Sequence, residues 1–191
     1  KPYTKIYWIT DFPKFNITGY NNDMINLMLR RLYDIAGTTN INVYYNDTKL
    51  NNKTFNKYVG LYLQDSYYIT DKIDNRWELG ISVSNDKFEH YSFVNGIYTS
   101  KGGKHVDYIS KQLTSSIQAL IKKSHKKEIS ENYIKNYIRI FINSEIEDPS
   151  FDSQSKERLI TPSSKFGSKP IVPLKLIKKF ISESDIVDKV I

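Results

Sequence analysis

The stretch KHVDYISKQLTSSIQALIKK, residues 104–123, keeps apolar residues at Val106, Ile109, Leu113, Ile117 and Leu120. That spacing fits one face of an α-helix and predicts about five turns. Just before it, Gly102-Gly103 breaks the chain. Upstream, RWELGISVS (76–84) alternates Trp77, Leu79, Ile81 and Val83, and after the turn SNDK (84–87) the run Phe88, His90, Ser92, Val94 alternates again. Strict alternation is the mark of a half-buried strand, so the expectation is an antiparallel pair of neighbours. Downstream, YIRIFINSEI (137–146) returns to strand with Ile138, Ile140 and Ile142 on one side. Strand, strand, long helix, strand and a closing helix make an α/β chain, an α+β two-layer sandwich in which a helix crosses over between strands of one mixed sheet.

Working outward, KIYWITDF is rich in aromatic and β-branched residues and ends near Pro13, which predicts a strand over residues 4–10. In NNDMINLMLRRLYDIAG (21–37), Met24, Met28, Leu32 and Ile35 recur at helical spacing, with Asn22 as the expected N-cap and Gly37 in the left-handed position after the last turn. INVYYNDTKL (41–50) predicts a hairpin, because Asn46-Asp47 tolerates positive φ between two β-favouring runs. The character of the chain changes near residue 50. A short amphipathic helix follows with Phe55, Val59 and Tyr62 on one face, then a polar loop through Asn75. After Pro173 the pattern closes with one or two amphipathic helices.

The composition narrows the chemistry. With 39% apolar and 14% aromatic residues in 191, the chain can bury one good-sized core, or one domain with a fragment of another, so a folded chain is the expectation. There is no Cys, which removes disulfides, thiolate metal sites and cysteine nucleophiles. His90, His105 and His125 lie far apart, without ligand spacing. A net charge of +7 favours polyanionic partners without naming one. No apolar run approaches the roughly 20 residues that span a bilayer, and the N-terminus lacks a signal-peptide pattern. The expectation is a soluble intracellular protein, and a start that is not Met makes it a piece of a longer polypeptide.

Individual stretches leave their chemistry open. IKKSHKKE groups Lys122, Lys123, Lys126 and Lys127 at the end of the long helix, where cations complement the dipole and also can meet phosphates. Glu145, Glu147, Asp148 and Asp152 lack the spacing of a known cation loop and read as a solvated acidic turn. SKGGKHV is either a tight turn or a place where backbone N–H groups bind an anion. None of the tyrosines stands beside an evident base, so no catalytic tyrosine is assigned.

The order of the motifs says more than any one of them. SFVNGIYTSKGGKHVDYI (92–109), a long helix ending in lysines and DPSFDSQSKERL (148–159) resemble the transducer domain of type IIA DNA topoisomerases, in the eukaryotic and large-DNA-virus version. RRLYDIAG (30–37), NVYYND (42–47), NRWE (75–78) and KFGS (165–168) appear in the family's order too, so the resemblance covers essentially the whole chain. It implies that residues 1–50 are the C-terminal tail of a GHKL-type ATPase domain and 51–191 the transducer, with its ribosomal-protein-like fold. The family's Gln-Thr-Lys loop falls on Gln154, Ser155 and Lys156, with Ser155 keeping the hydroxyl and losing the methyl. Gly96 stands where a small polar residue is usual.

What the resemblance implies is an ATP-hydrolysing isomerase that passes one DNA duplex through another. Gln154 and Lys156 would contact the γ-phosphate of ATP, with Lys156 also catalytic. Lys122, Lys123, Lys126 and Lys127 would face double-stranded DNA. ATP with Mg²⁺ would be held mainly by the ATPase domain upstream, so this piece alone is expected to be inactive. The partners implied are DNA, ATP and a second copy joined through the ATPase and transducer half, without a membrane. The setting implied is the nucleus, or the cytoplasm for a viral enzyme. The rival readings are a basic α/β nucleic-acid-binding module without ATP coupling, the transducer of another GHKL ATPase and a dimerisation module.

Overall fold

The computed structural model describes residues 2–191. After a 3₁₀ turn at Pro13–Phe15 come α1 (Asn22–Thr39), the short hairpin β1 (Tyr44–Tyr45) and β2 (Thr48–Lys49), and α2 (Phe55–Leu63). Strands β3 (Tyr68–Asp74), β4 (Trp77–Val83), β5 (Glu89–Val94) and β6 (Ile97–Tyr98) follow. Then come α3 (Lys104–His125), α4 (Glu131–Lys135) and β7 (Ile138–Ser144), and the chain closes with α5 (Leu174–Glu183) and α6 (Ile186–Val190).

The main sheet has five strands in the order β3-β4-β7-β5-β6. β7 runs antiparallel to β4 and parallel to β5, which makes α3 the crossover that joins two parallel strands. The expected β4–β5 pair is therefore corrected: β7 inserts between them. The reason lies in the composition of β7, whose Ile138, Ile140, Phe141 and Ile142 are all buried. Only a central strand buries both of its faces. At the end of β4 the Ser84 hydroxyl donates to the carbonyls of Lys87 (2.7 Å) and Asn136 (2.9 Å), steering the chain out of a hairpin.

Each face of the sheet carries its own core. On one side Val106, Ile109, Leu113, Ile117 and Ile121 of α3 pack on Trp77, Leu79, Ile81, Ile138, Ile140 and Ile142. On the other, Phe55, Tyr58, Val59 and Leu63 of α2 meet Phe93 and Phe141. Truncating one such residue, Ile140 for example, is expected to cost about 2 to 5 kcal/mol.

Three further expectations change. Residues 68–74, read as polar loop, are the edge strand β3, antiparallel to β4 with a bulge near Lys72. Its exposed Asp71 and Lys72 are the charges that protect an edge from further pairing, and they mimic a loop in the sequence. Residues 4–10 form no strand, and Ile6, Trp8 and Ile9 stay exposed, because a strand needs a neighbour and no described element pairs with them. In α1 the cap is Asn21, whose Oδ1 accepts the Met24 N–H at 2.9 Å, and Asn40 (φ 57°) takes the left-handed end. Gly37 instead lies inside the helix, where a Cβ would stand 2.5 Å from Tyr58 Cβ, so it sets the close approach of α1 to α2. The hairpin turn is as read, with Asn46 and Asp47 both at positive φ.

Candidate functional site

After β7 the chain is locked by Asn95, whose side chain accepts from Ile146 N–H at 2.9 Å and donates to its carbonyl at 3.0 Å. It then turns back on itself. Phe151 and Leu159 form an antiparallel bridge, Asp152 N–H donates to Arg158 O at 3.1 Å, and Lys156 N–H donates to Ser153 O at 3.0 Å. The tip of this small hairpin is Gln154-Ser155-Lys156. Gln154 is exposed and Lys156 half-buried with φ 58°, a left-handed conformation uncommon for a residue with a side chain. Among the described residues neither side chain has a hydrogen-bond or ion-pair partner.

The base of the hairpin sits on the first turn of α3. Leu159 N–H donates to Gly102 O at 3.0 Å, Lys104 N–H donates to Leu159 O at 3.0 Å, and Lys101 N–H donates to Glu157 O at 3.0 Å. A Cβ on Gly103 would stand 2.2 Å from Leu159 O, and Gly103 has φ 128°. The glycine pair thus resolves as a seat for the loop, with the Gly102 and Lys104 N–H groups engaged internally, to Thr99 O and Leu159 O. Side chains reinforce the seat: Lys101 Nζ meets Glu157 Oε2 at 2.6 Å and Ser100 Oγ donates to Glu157 Oε1 at 3.2 Å. The sequence offered no signal for that ion pair beyond the charges themselves.

Under the glycines lies a buried polar chain. Ser92 Oγ is 2.7 Å from Thr99 Oγ1, which is 3.1 Å from His105 Nε2. His105 has no exposed surface, and burial, then the neighbouring His90, pushes its pKa down to about 3. It is a neutral structural group at ordinary pH. A second buried cluster missed in the sequence ties α1 to α2: Tyr58 OH donates to Asp34 Oδ1 at 2.8 Å, and burial raises the carboxyl's pKa.

At the other end of α3 the four lysines are exposed. Lys126 caps the helix at φ 58°, Lys122 Nζ pairs with Glu128 at 2.9 Å, and Lys127 Nζ donates to Ile191 O at 3.2 Å. Lys123 and Lys126 have no side-chain partner among the described residues. The loop and this run are therefore not one site: they occupy opposite ends of a helix of 22 residues, about 33 Å long. Of the acidic residues, Glu147 is paired to Arg76 at 2.7 Å. A polar cavity of about 590 Å³ lined by Thr38, Lys72, Glu78 and Glu145 includes none of the loop residues 151–159.

A central strand fed by a crossover helix, with a Gln-Ser-Lys hairpin bonded to the helix start, defines the α/β unit. Residues 37–191 match the family described as DNA gyrase B, and the chain belongs to that family, among the type IIA topoisomerases. It is 38% identical to DNA topoisomerase 2 of Saccharomyces cerevisiae over 199 residues and 38% identical to human DNA topoisomerase 2-alpha over 190, covering 94% of this chain in each case. It spans 14% and 12% of those relatives' lengths. The ATPase region of Saccharomyces cerevisiae topoisomerase II superposes with a TM-score of 0.86 at 40% identity, over 94% of this chain and 47% of that one. The ATPase and transducer domains of topoisomerase II from Balamuthia mandrillaris superpose with 0.83 at 38% identity, over 88% and 43%.

Proposed function

We propose that this chain is the energy-coupling part of an ATP-dependent type IIA topoisomerase that passes one DNA duplex through a transient double-strand break in another. In this reading residues 1–50 end the ATPase domain and 51–191 are the transducer. The observation that carries it is the single helix α3, with the Gln-Ser-Lys hairpin bonded to its first turn and four exposed lysines at its last. The exposed apolar residues Ile6, Tyr7, Trp8 and Ile9, and Leu27 and Met28 of α1, support the packing of a larger ATPase body against these segments.

Gln154 and Lys156 fit a phosphate: one amide and one ammonium, unpartnered and carried on a tethered hairpin. ATP, held with Mg²⁺ mainly by the ATPase domain, would supply the phosphoryl group whose departure ends the contact. A contact that exists only while the γ-phosphate is present biases the closed conformation by differential binding. At about 1.5 to 3 kcal/mol per charge-assisted hydrogen bond, the pair would contribute roughly 3 to 6 kcal/mol, a factor on the order of 10² to 10⁴. Lys156 would also stabilise charge on the transferring group. When the contact is lost, the hairpin and the start of α3 are free to move, and the lysine end moves with them toward or away from DNA. A second copy, joined through the same half of the molecule, would enclose the duplex.

The test is ATP binding and turnover by the full-length protein. Lys156→Ala is expected to leave binding near normal and lower turnover by about tenfold or more. Unchanged turnover would discard the phosphate contact by Lys156.

A further inference from the structure

We propose that Glu157 is a positioning residue for the Gln154-Ser155-Lys156 hairpin, fastened by Ser100 and Lys101 so that the hairpin and the first turn of α3 move as one body. The proposal rests on the phosphate-contact reading of that hairpin and adds the part that holds it in place.

Glu157 follows Lys156 directly and is gripped twice. Its carboxylate receives Lys101 Nζ at 2.6 Å, Ser100 Oγ at 3.2 Å and Ser155 Oγ at 3.4 Å. Its carbonyl accepts the Lys101 N–H at 3.0 Å. An exposed ion pair by itself contributes little. Here the pair closes a ring already closed by main-chain bonds from Lys101 to Glu157, from Lys104 to Leu159 and from Leu159 to Gly102, so little further chain freedom is lost in forming it.

Two consequences follow for Lys156. Its left-handed backbone, φ 58°, persists only where neighbours hold it, and those are Ser153 O on one side and the fastened Glu157 on the other. The second is electrostatic. Glu157 is the nearest carboxylate in sequence to the Lys156 ammonium, and Lys101 with Ser100 occupies it. The pairing holds the Lys101 amine above its ordinary pKa and the Glu157 carboxyl below its own, so both stay charged at neutral pH. Lys156 is thereby left for a phosphate instead of being drawn to its own neighbour.

The experiment compares ATP turnover in variants of the full-length protein. Glu157→Lys is expected to lower kcat about tenfold with KM for ATP within about threefold, because ATP is held mainly elsewhere. Combining it with Lys101→Glu is expected to bring kcat back to within about threefold of wild type, which a loss of mere bulk would not do. Glu157→Gln keeps the shape and serves if the reversal does not fold; its kcat is expected to fall about threefold with an unchanged melting midpoint. Wild-type kcat in Glu157→Lys, or in Glu157→Gln if that reversal does not fold, or no recovery in the double reversal, overturns the positioning role while a slow Lys156→Ala keeps the phosphate contact. Normal turnover in Lys156→Ala overturns both.

Discussion

The two ends of α3 are built on opposite plans. At Gly103 the helix begins under constraint, with main-chain bonds to Leu159, a buried His105 beneath and an ion pair across the top. At Lys126 it ends in solvent, with a left-handed cap and side chains that reach outward. A seat that must transmit a displacement needs fixed geometry on all sides. An end proposed to meet a polyanion needs charge within reach, since phosphate contacts carry no sequence information of their own.

The contrast is sharpest at the glycine seat. Gly103→Ala puts a methyl on Leu159 O and a side chain at φ 128°, and is expected to destabilise the fold by about 3 kcal/mol or more, read from denaturant midpoints. His105 tests the same end through pH. Its pKa near 3 lies below the ordinary 6.5, so between those values the unfolded chain binds a proton that the folded chain refuses. Its contribution is intact above pH 6.5 and is lost on acidification, by about 1.4 kcal/mol per pH unit. His105→Asn should flatten that slope in urea titrations between pH 4 and 6.5.

Substitutions at the other end should be mild or favourable. Lys126→Gly relieves the left-handed cap and is expected to stabilise by about 0.5 to 1 kcal/mol in the same assay. Lys123→Ala with Lys126→Ala should change stability least, within about 0.5 kcal/mol. In the full-length protein that pair is expected to lower the slope of log affinity for DNA against log salt by about 1.8, measured by fluorescence anisotropy. An unchanged slope would remove these lysines from the DNA contact and erase the contrast.

How much of this is legible in the sequence follows from what periodicity reports. Alternation at Trp77, Leu79 and Ile81, or helical spacing at Ile109, Leu113 and Ile117, names the buried face, and those elements are where the pattern puts them. It does not name the neighbour, so the place of β7 between β4 and β5 stayed hidden. Edge strand β3 carries solvent-facing charges like a loop, and residues 4–10 carry a strand's composition without a pairing strand among the described residues. At the candidate site, the QSK motif and the lysine run were visible as residue types. The seat was not, because Gly102-Gly103 advertises unusual backbone without revealing Leu159, and Lys101 gives no hint of Glu157.

The strand order also sets a schedule for folding. β4 and β5 emerge early and in succession, yet their common neighbour β7 is made only after α3 and α4. Trp77 must wait for Ser144 and Val83 for Ile138. If the two early strands joined each other first, they would have to part before β7 could enter, which is a kinetic trap of the kind long-range sheets invite. The Ser84 hydroxyl, bonded to Lys87 and Asn136, holds the β4 exit toward the incoming strand, so its loss should slow refolding more than it lowers the final stability.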